Sequence, residues 1–131
     1  MIFVDTSGFL ALTVGTDEHH LEAVQWWKGQ MGTELVTSNL VVIETLGWVR
    51  HKIGKAKAVT VGEAIFQDNQ IAIKRVSLLD EQKAWDLFCK VAGRGVSMID
   101  CTSFVVMKRL KVKQAFTFDE DFAKAGFEVR P

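Results

Sequence analysis

Short apolar runs alternate with longer amphipathic ones along this chain, and neither a Pro/Gly-rich linker nor an internal proline interrupts them, the one proline being Pro131. That rhythm constrains the fold more than any other feature. Strands that alternate with helices pack as a sheet covered on both faces, so the expected architecture is a three-layer α/β/α sandwich around a central, mainly parallel sheet. The 131 residues carry no repeats or low-complexity tracts, and they suit one domain spanning residues 1–131.

Read along the chain, "IFV" is a first strand and Ser7 to Val14 a short helix. Asp17 to Gln30 is a second helix, with Leu21, Val24, Trp27 and Lys28 at helical spacing and Asp17 and Glu18 at its positive end. "ELVT" is a brief strand, after which Ser38 can cap a helix over 39–53 that stops at Gly54. Helix follows at 57–68, and the β-branched "IAIKRVS" is a strand. Ala84, Leu87, Phe88 and Val91 form the buried stripe of another helix, ended by Gly93 and Gly95. Ser97 opens the next, which runs to Leu110; "QAFTF" is a strand, "DEDFAKAG" one or two helical turns, and "FEV" a last short strand.

Sixteen Lys and Arg balance sixteen Asp and Glu, so no net field draws the protein to a polyanion, and local basic patches would have to serve. Cys89 and Cys101 make no disulfide framework, and Asp5 breaks the apolar N-terminal run that a cleaved signal would need. No apolar run approaches the roughly 20 residues of a membrane helix. The expected setting is a reducing cytoplasm, without a membrane partner.

Four acids are hard to explain as surface charge. Asp5 lies between the apolar runs Met1–Val4 and Phe9–Leu12, where an ionised carboxylate is costly unless something offsets its lost hydration. In open parallel sheets the ligand crevice lies beyond the carboxyl ends of the strands; Asp5 follows "IFV", and Asp119 follows "AFTF" in the same manner. Either one taken alone reads first as a helix cap. Glu44 has Leu40, Val41, Gly47 and Trp48 as its helical neighbours, and nothing local pairs with it. Asp100 stands three residues after Ser97, a capping-box spacing that Ser77 and Asp80 repeat, so cap and ligand both stay open for it.

Together the four supply hard oxygen donors suited to Mg²⁺ or Mn²⁺ and not to zinc. The histidines offer no alternative, since His19 and His20 sit side by side on an exposed helix and His51 on the surface. The chain shows no Ser/His/Asp or Cys/His arrangement, no GxGxxG and no Walker loop.

The segments "VDTSGFLAL", "SNLVVIETL", "SMIDCTSFVVMKRL" and "AFTFDEDFAKAGF" resemble, in order and over essentially the whole chain, the four acidic motifs of PIN-domain ribonucleases. The compact length is most similar to the VapC-type toxins of toxin–antitoxin pairs. The resemblance implies a PIN-like parallel-sheet fold, one or two Mg²⁺ or Mn²⁺ ions, and endoribonuclease cleavage of RNA by metal-activated water. Carried over by motif, Asp5, Glu44 and Asp100 are the core acids and Asp119 the more variable fourth, with Asp121 able to replace it. Asp5, Asp100 and Asp119 are then metal ligands, and Glu44 is a ligand or orients the water. Thr6 or Ser7 matches the small hydroxyl residue beside the first acid. Phosphates would be held by Arg50, Lys52 and Lys55, or by Lys108, Arg109, Lys111 and Lys113, unless each cluster only complements a helix C-terminus. As implied partners there are a cognate antitoxin and a second copy in a homodimer, with Trp26, Trp27 and Trp48 as interface or as core. Two other readings stand beside the toxin: a catalytically idle PIN-fold binding module, and a PIN nuclease of RNA processing outside any toxin–antitoxin pair. A third, phosphotransfer with Asp5 as nucleophile, is disfavoured because position 7 is Ser.

Overall fold

The computed structural model describes residues 1–91 and 95–131. Five strands, β1 (Ile2–Val4), β2 (Leu35–Ser38), β3 (Ile71–Lys74), β4 (Gln114–Phe116) and β5 (Glu128–Arg130), form one sheet in the order β3-β2-β1-β4-β5. Every pairing is parallel, with Phe3 opposite Val36 on one side and Ala115 on the other. The helices are α1 (Thr6–Thr13), α2 (His20–Lys28), α3 (Asn39–Lys52), α4 (Lys55–Gln67), α5 (Leu78–Lys90), α6 (Met98–Arg109) and α7 (Asp121–Lys124). Parallel strands need right-handed crossovers, which puts α1–α4 on one face and α5–α7 on the other. The packing agrees: α1 lies on α2 and α3, α3 on α4, and α5 on α6. Buried on both faces, Phe3, Val4, Val36, Ala115 and Phe116 make the centre of the core.

Several elements depart from the periodic reading in instructive ways. The helix expected from Asp17 begins only at His20, because the Asp17 carboxylate caps a turn by accepting from the His19 amide at 2.8 Å. Its buried face is also different: Leu21 is 84% exposed, while Ala23 is buried and Trp26 stacks on Phe116 with ring centroids 4.4 Å apart. A small residue lets the helix approach the sheet, and the two tryptophans cover the strand beside it. His19 and His20 are half-buried, not exposed; His19 stacks on Phe118 at 4.4 Å, and a His20 ring nitrogen lies 2.8 Å from the Ala11 carbonyl. In α5, Ala84 is buried but Phe88 is 38% exposed, because the helix meets α6 on a narrower stripe than its apolar pattern suggests. The expected stop at Gly93 lies outside the described residues. β3 ends at Lys74, after which the Val76 amide donates to the Asn39 side chain at 2.8 Å. α3 and α4 meet at Gly54, whose φ of 138° is open to glycine and strained for other residues. Cys89 and Cys101 are both free thiols, one exposed and one buried. Among the described residues no helix is long and apolar enough to cross a membrane.

Candidate active site

From the central β1 the chain winds outward through β2 to β3, then crosses to β4 and β5 on the other side. The two directions part between β1 and β4, and there the carboxyl ends of an open sheet leave a crevice. Asp5 follows β1 at this point; Thr117 and Asp119 follow β4. α1 comes unusually close to β4. A Cβ on Gly8 would stand 2.6 Å from the Phe116 carbonyl oxygen and 2.8 Å from its ring, so only glycine permits this approach.

Closeness creates the first half of the site. Asp5 caps α1 and is 3% exposed, and its Oδ2 accepts from the Ser7 and Thr117 hydroxyls, each at 2.9 Å. Ser7 in turn receives the Phe118 amide at 2.9 Å, and Thr117 receives the Asp119 amide at 3.0 Å. Two hydroxyls therefore tie the loop after β4 to the turn after β1. Burial pushes the Asp5 carboxyl up to about 6, against the opposing hydrogen bonds from Thr117 and Ser7. Thr117 is the residue that motif reasoning missed, although a hydroxyl two positions before Asp119, directly after a strand, was a usable signal.

The second half comes from helix starts. Ser97 and Asp100 form a complete capping box, the Ser97 amide donating to Asp100 Oδ2 at 2.8 Å and the Asp100 amide to Ser97 Oγ at 3.0 Å. Ser77 and Asp80 form the same box at the start of α5. The two aspartates then diverge. Asp80 loses hydration on burial, but Arg109 reaches it with Nε and Nη2 at 3.0 and 2.9 Å, and the Asp80 carboxyl is held below its ordinary range. Asp100 has no such cation among the described residues: burial and the charges of Asp5 and Asp119 push it up to about 6. Asp119 is raised by burial and by repulsion from Asp121 and Glu120. Glu44, half-buried on α3, is raised by burial and by Asp100, while the Thr6 hydroxyl beside it favours the ionised form. Among the described residues no salt bridge reaches any of these four acids. It is Asp119 whose charge is felt at Asp100; Asp121 faces Lys124 at 3.8 Å and gives its amide to Asp119 Oδ1 at 2.9 Å.

Acids from four elements thus crowd one crevice and oppose one another's ionisation. Among the described residues no three His, Cys, Asp or Glu side chains stand at metal-ligand spacing. Fewer than three direct carboxylates suit a cation that keeps much of its water: Mg²⁺ commonly takes one or two carboxylates directly and fills the rest of its octahedron with solvent. The all-oxygen donor set also fits Mg²⁺ or Mn²⁺.

The remaining expected residues lie farther off. At 1.5 Å per residue, Arg50 and Lys52 stand about 9–12 Å along α3 from Glu44, and Lys108 and Arg109 about 12–14 Å along α6 from Asp100. Arg50, Lys52 and Lys55 are exposed, as are Lys108, Lys111 and Lys113, whereas the Arg109 guanidinium is occupied by Asp80. Trp26 and Trp27 pack against the core; Trp48 is 46% exposed, with Lys52 Nζ 5.8 Å from its ring centre.

A family model described as the PIN domain matches residues 2–128. The chain is 36% identical over 132 aligned positions to the 23S rRNA-specific endonuclease VapC20 of Mycobacterium tuberculosis strain H37Rv, covering 100% of this chain and 99% of the relative. The crystal structure of Mycobacterium tuberculosis VapC20, described as a Sarcin-Ricin loop cleaving toxin, superposes with a TM-score of 0.92 at 35% identity over 100% of both chains. The crystal structure of FitAcB from Neisseria gonorrhoeae superposes with a TM-score of 0.73 at 17% identity, over 100% of this chain and 97% of that one, a likeness of fold alone.

Proposed function

The chain belongs to the PIN-domain family, and from that premise we propose that it is a Mg²⁺- or Mn²⁺-dependent endoribonuclease serving as the toxin of a toxin–antitoxin pair. One observation carries the reading: Asp5, Glu44 and Asp100 are held beside one another with raised pKa values, Asp119 adding its charge, and no Lys or Arg pairs with them among the described residues. Such an arrangement costs stability for no packing gain, and a divalent cation relieves it. Asp5 and Asp100 would hold the ion directly, and Asp119 through a water or a second ion. When bound, it supplies activation of a water and charge neutralisation at the scissile phosphate. Glu44, half-exposed at the rim, orients the water, and Ser7 and Thr117 keep Asp5 and the Asp119 loop in register.

The full-length relative's stated activity makes 23S rRNA the first substrate to test. Purified protein is incubated with intact ribosomes, 23S rRNA and other RNAs in Mn²⁺, in Mg²⁺ and in chelator. Expected are metal-dependent cuts that leave 5′-phosphate and 3′-hydroxyl ends, abolished in Asp100→Asn. Cleavage that persists in chelator, or 2′,3′-cyclic ends, would refute the mechanism, since attack by the ribose 2′-hydroxyl needs a general acid–base pair.

The same reading assigns a cytoplasmic setting, a cognate antitoxin encoded beside this chain, and a homodimer. Ile43, Trp48 and Phe66 on α3 and α4, and Leu78 and Trp85 on α5, are exposed apolar side chains that offer surface for such contacts. Copurification with the neighbouring gene's product and light scattering of the free protein test these assignments.

A further inference from the structure

Glu44 is followed on its own face of α3 by an unusual set of side chains. Residues three and four apart on a helix share a face, so Gly47, Trp48, His51 and Lys52 continue from Glu44 in one stripe that starts at the acidic crevice. At 1.5 Å per residue, Trp48 lies about 6 Å beyond Glu44 and Lys52 about 12 Å. Glu44 is half-buried, and the other four are exposed. Lys52 Nζ stands 5.8 Å from the centre of the Trp48 ring, and the His51 ring meets that indole edge-on at 6.3 Å. Among the described residues Lys52 is the one cation set over an aromatic ring, and neither it nor Arg50 nor Lys55 has a carboxylate partner. Gly47 has no packing reason to be glycine. Glycine weakens a helix interior relative to alanine, yet a Cβ at this position would meet nothing within 4 Å among the described residues. Past Trp48, His51 and Lys52 face Val14, Thr16 and Asp17 across a hollow of about 370 Å³, where the Asp17 carboxylate is engaged by the His19 amide.

Other exposed rings and cations lack this combination. His19, stacked on Phe118 near the crevice, lies against Glu18 and Glu22, and Trp85 shares its hollow with Glu81 and Asp86. At the end of α6, Arg109 is held by Asp80.

We propose that this stripe of α3 is a binding track for single-stranded RNA leading to the crevice. Trp48 stacks an unpaired base, as aromatic side chains do for any base with a free face. Lys52, on its flexible stem, leaves the indole for the neighbouring phosphate, and bare Gly47 lets the strand lie close against the helix. The track deepens the nuclease reading and rests on it only for the cut that follows; binding itself needs no cleavage.

The test measures the affinity of the full chain for a fluorescent single-stranded oligoribonucleotide and for the same sequence as a duplex, in chelator, with cleavage kinetics in Mn²⁺ alongside. Trp48→Leu keeps apolar bulk and removes the aromatic face, so it should lower single-strand affinity about tenfold, leave the duplex unchanged and raise KM for RNA at constant kcat, with Trp48→Phe restoring most of the loss. Lys52→Gln should weaken both forms and reduce the slope of log affinity against log salt by about 0.7 on the single strand. Gly47→Leu should block the single strand while melting at or above the wild type. A Trp48→Leu protein that binds the single strand like the wild type, or loses single strand and duplex alike, would overturn the track. So would a loss confined to copurification with the neighbouring gene's product, which would give Trp48 to a protein contact. Track-dependent binding by a wild type that cuts no RNA in Mn²⁺ would overturn the nuclease and keep the track; cleavage that none of the three substitutions alters would do the reverse.

Discussion

Replacing Asp5 with Asn isolates what the crevice stores. The carboxyl moves from an ordinary 3.8 to about 6 on burial, net of the bonds it accepts from Thr117 and Ser7. At about 1.4 kcal/mol per pH unit, the ionised form therefore destabilises the metal-free fold by about 3 kcal/mol. The sign follows from proton binding. Below pH 4 the group is protonated folded and unfolded alike, and it costs nothing. Between about pH 4 and 6 the folded chain holds the proton that the unfolded chain releases, so stability falls as pH rises; above pH 6 the whole penalty is present. Asn resembles the protonated acid, keeps an oxygen for the two hydroxyls and caps a helix as well as Asp. In chelator at pH 7.5, Asp5→Asn should therefore melt higher than the wild type, by up to about 10 °C for a chain of this size. The gap should close as pH falls toward 4. Added Mn²⁺ should stabilise the wild type more than the variant, through binding to the folded state. Scanning calorimetry of both proteins at pH 4, 5, 6 and 7.5, with chelator and with Mn²⁺, checks each point. An Asp5→Asn protein no more stable than the wild type at pH 7.5, or a gap that widens in acid, would refute the reasoning.

Gly8→Ala forces a Cβ to within 2.6 Å of the Phe116 carbonyl, so it should cost about 1–3 kcal/mol in urea unfolding and weaken the Mn²⁺ response, because α1 carries Asp5 away from Thr117 as it shifts. Thr117→Val removes the donor to Asp5 and the acceptor of the Asp119 amide; a loss of about 1–2 kcal/mol and weaker Mn²⁺ binding by calorimetry are expected, with a larger effect on metal than Ser103→Ala produces. Arg109→Met leaves the buried Asp80 with its capping box alone and should destabilise by about 1–3 kcal/mol at pH 7. Since the Asp80 carboxyl is held low, that deficit should shrink as pH falls through its folded pKa, and the Mn²⁺ response should stay as in the wild type.

Local chemistry made much of this protein legible from its residue order. Alternating runs gave away the strand–helix rhythm, Ser38, Ser77 and Ser97 marked helix starts where the structure has them, and the four acids were visible because charge in apolar company needs a reason. The site's boundary was less visible. Thr117 and Gly8 act only through the approach of α1 to β4, across more than a hundred positions of sequence, and no periodicity encodes a distance of that kind. Leu21 and Phe88 look like core at helical spacing, yet each lies outside the stripe its neighbours cover, because the width of that stripe is set by the partner helix or sheet.

The two capping boxes draw the line most clearly. By itself the sequence determined that Ser77–Asp80 and Ser97–Asp100 would each start a helix, since a hydroxyl and a carboxylate three residues apart close the first turn wherever they occur. It could not determine which carboxylate would be free. Arg109, at the far end of α6, returns to α5 and neutralises Asp80; among the described residues nothing comparable reaches Asp100, which is left among Asp5, Asp119 and Glu44. Hydrogen bonds within a turn are fixed by the local chain, whereas a carboxylate's charge is balanced or left exposed to repulsion by whatever the fold brings within a few ångströms of it, and only the tertiary structure decided that.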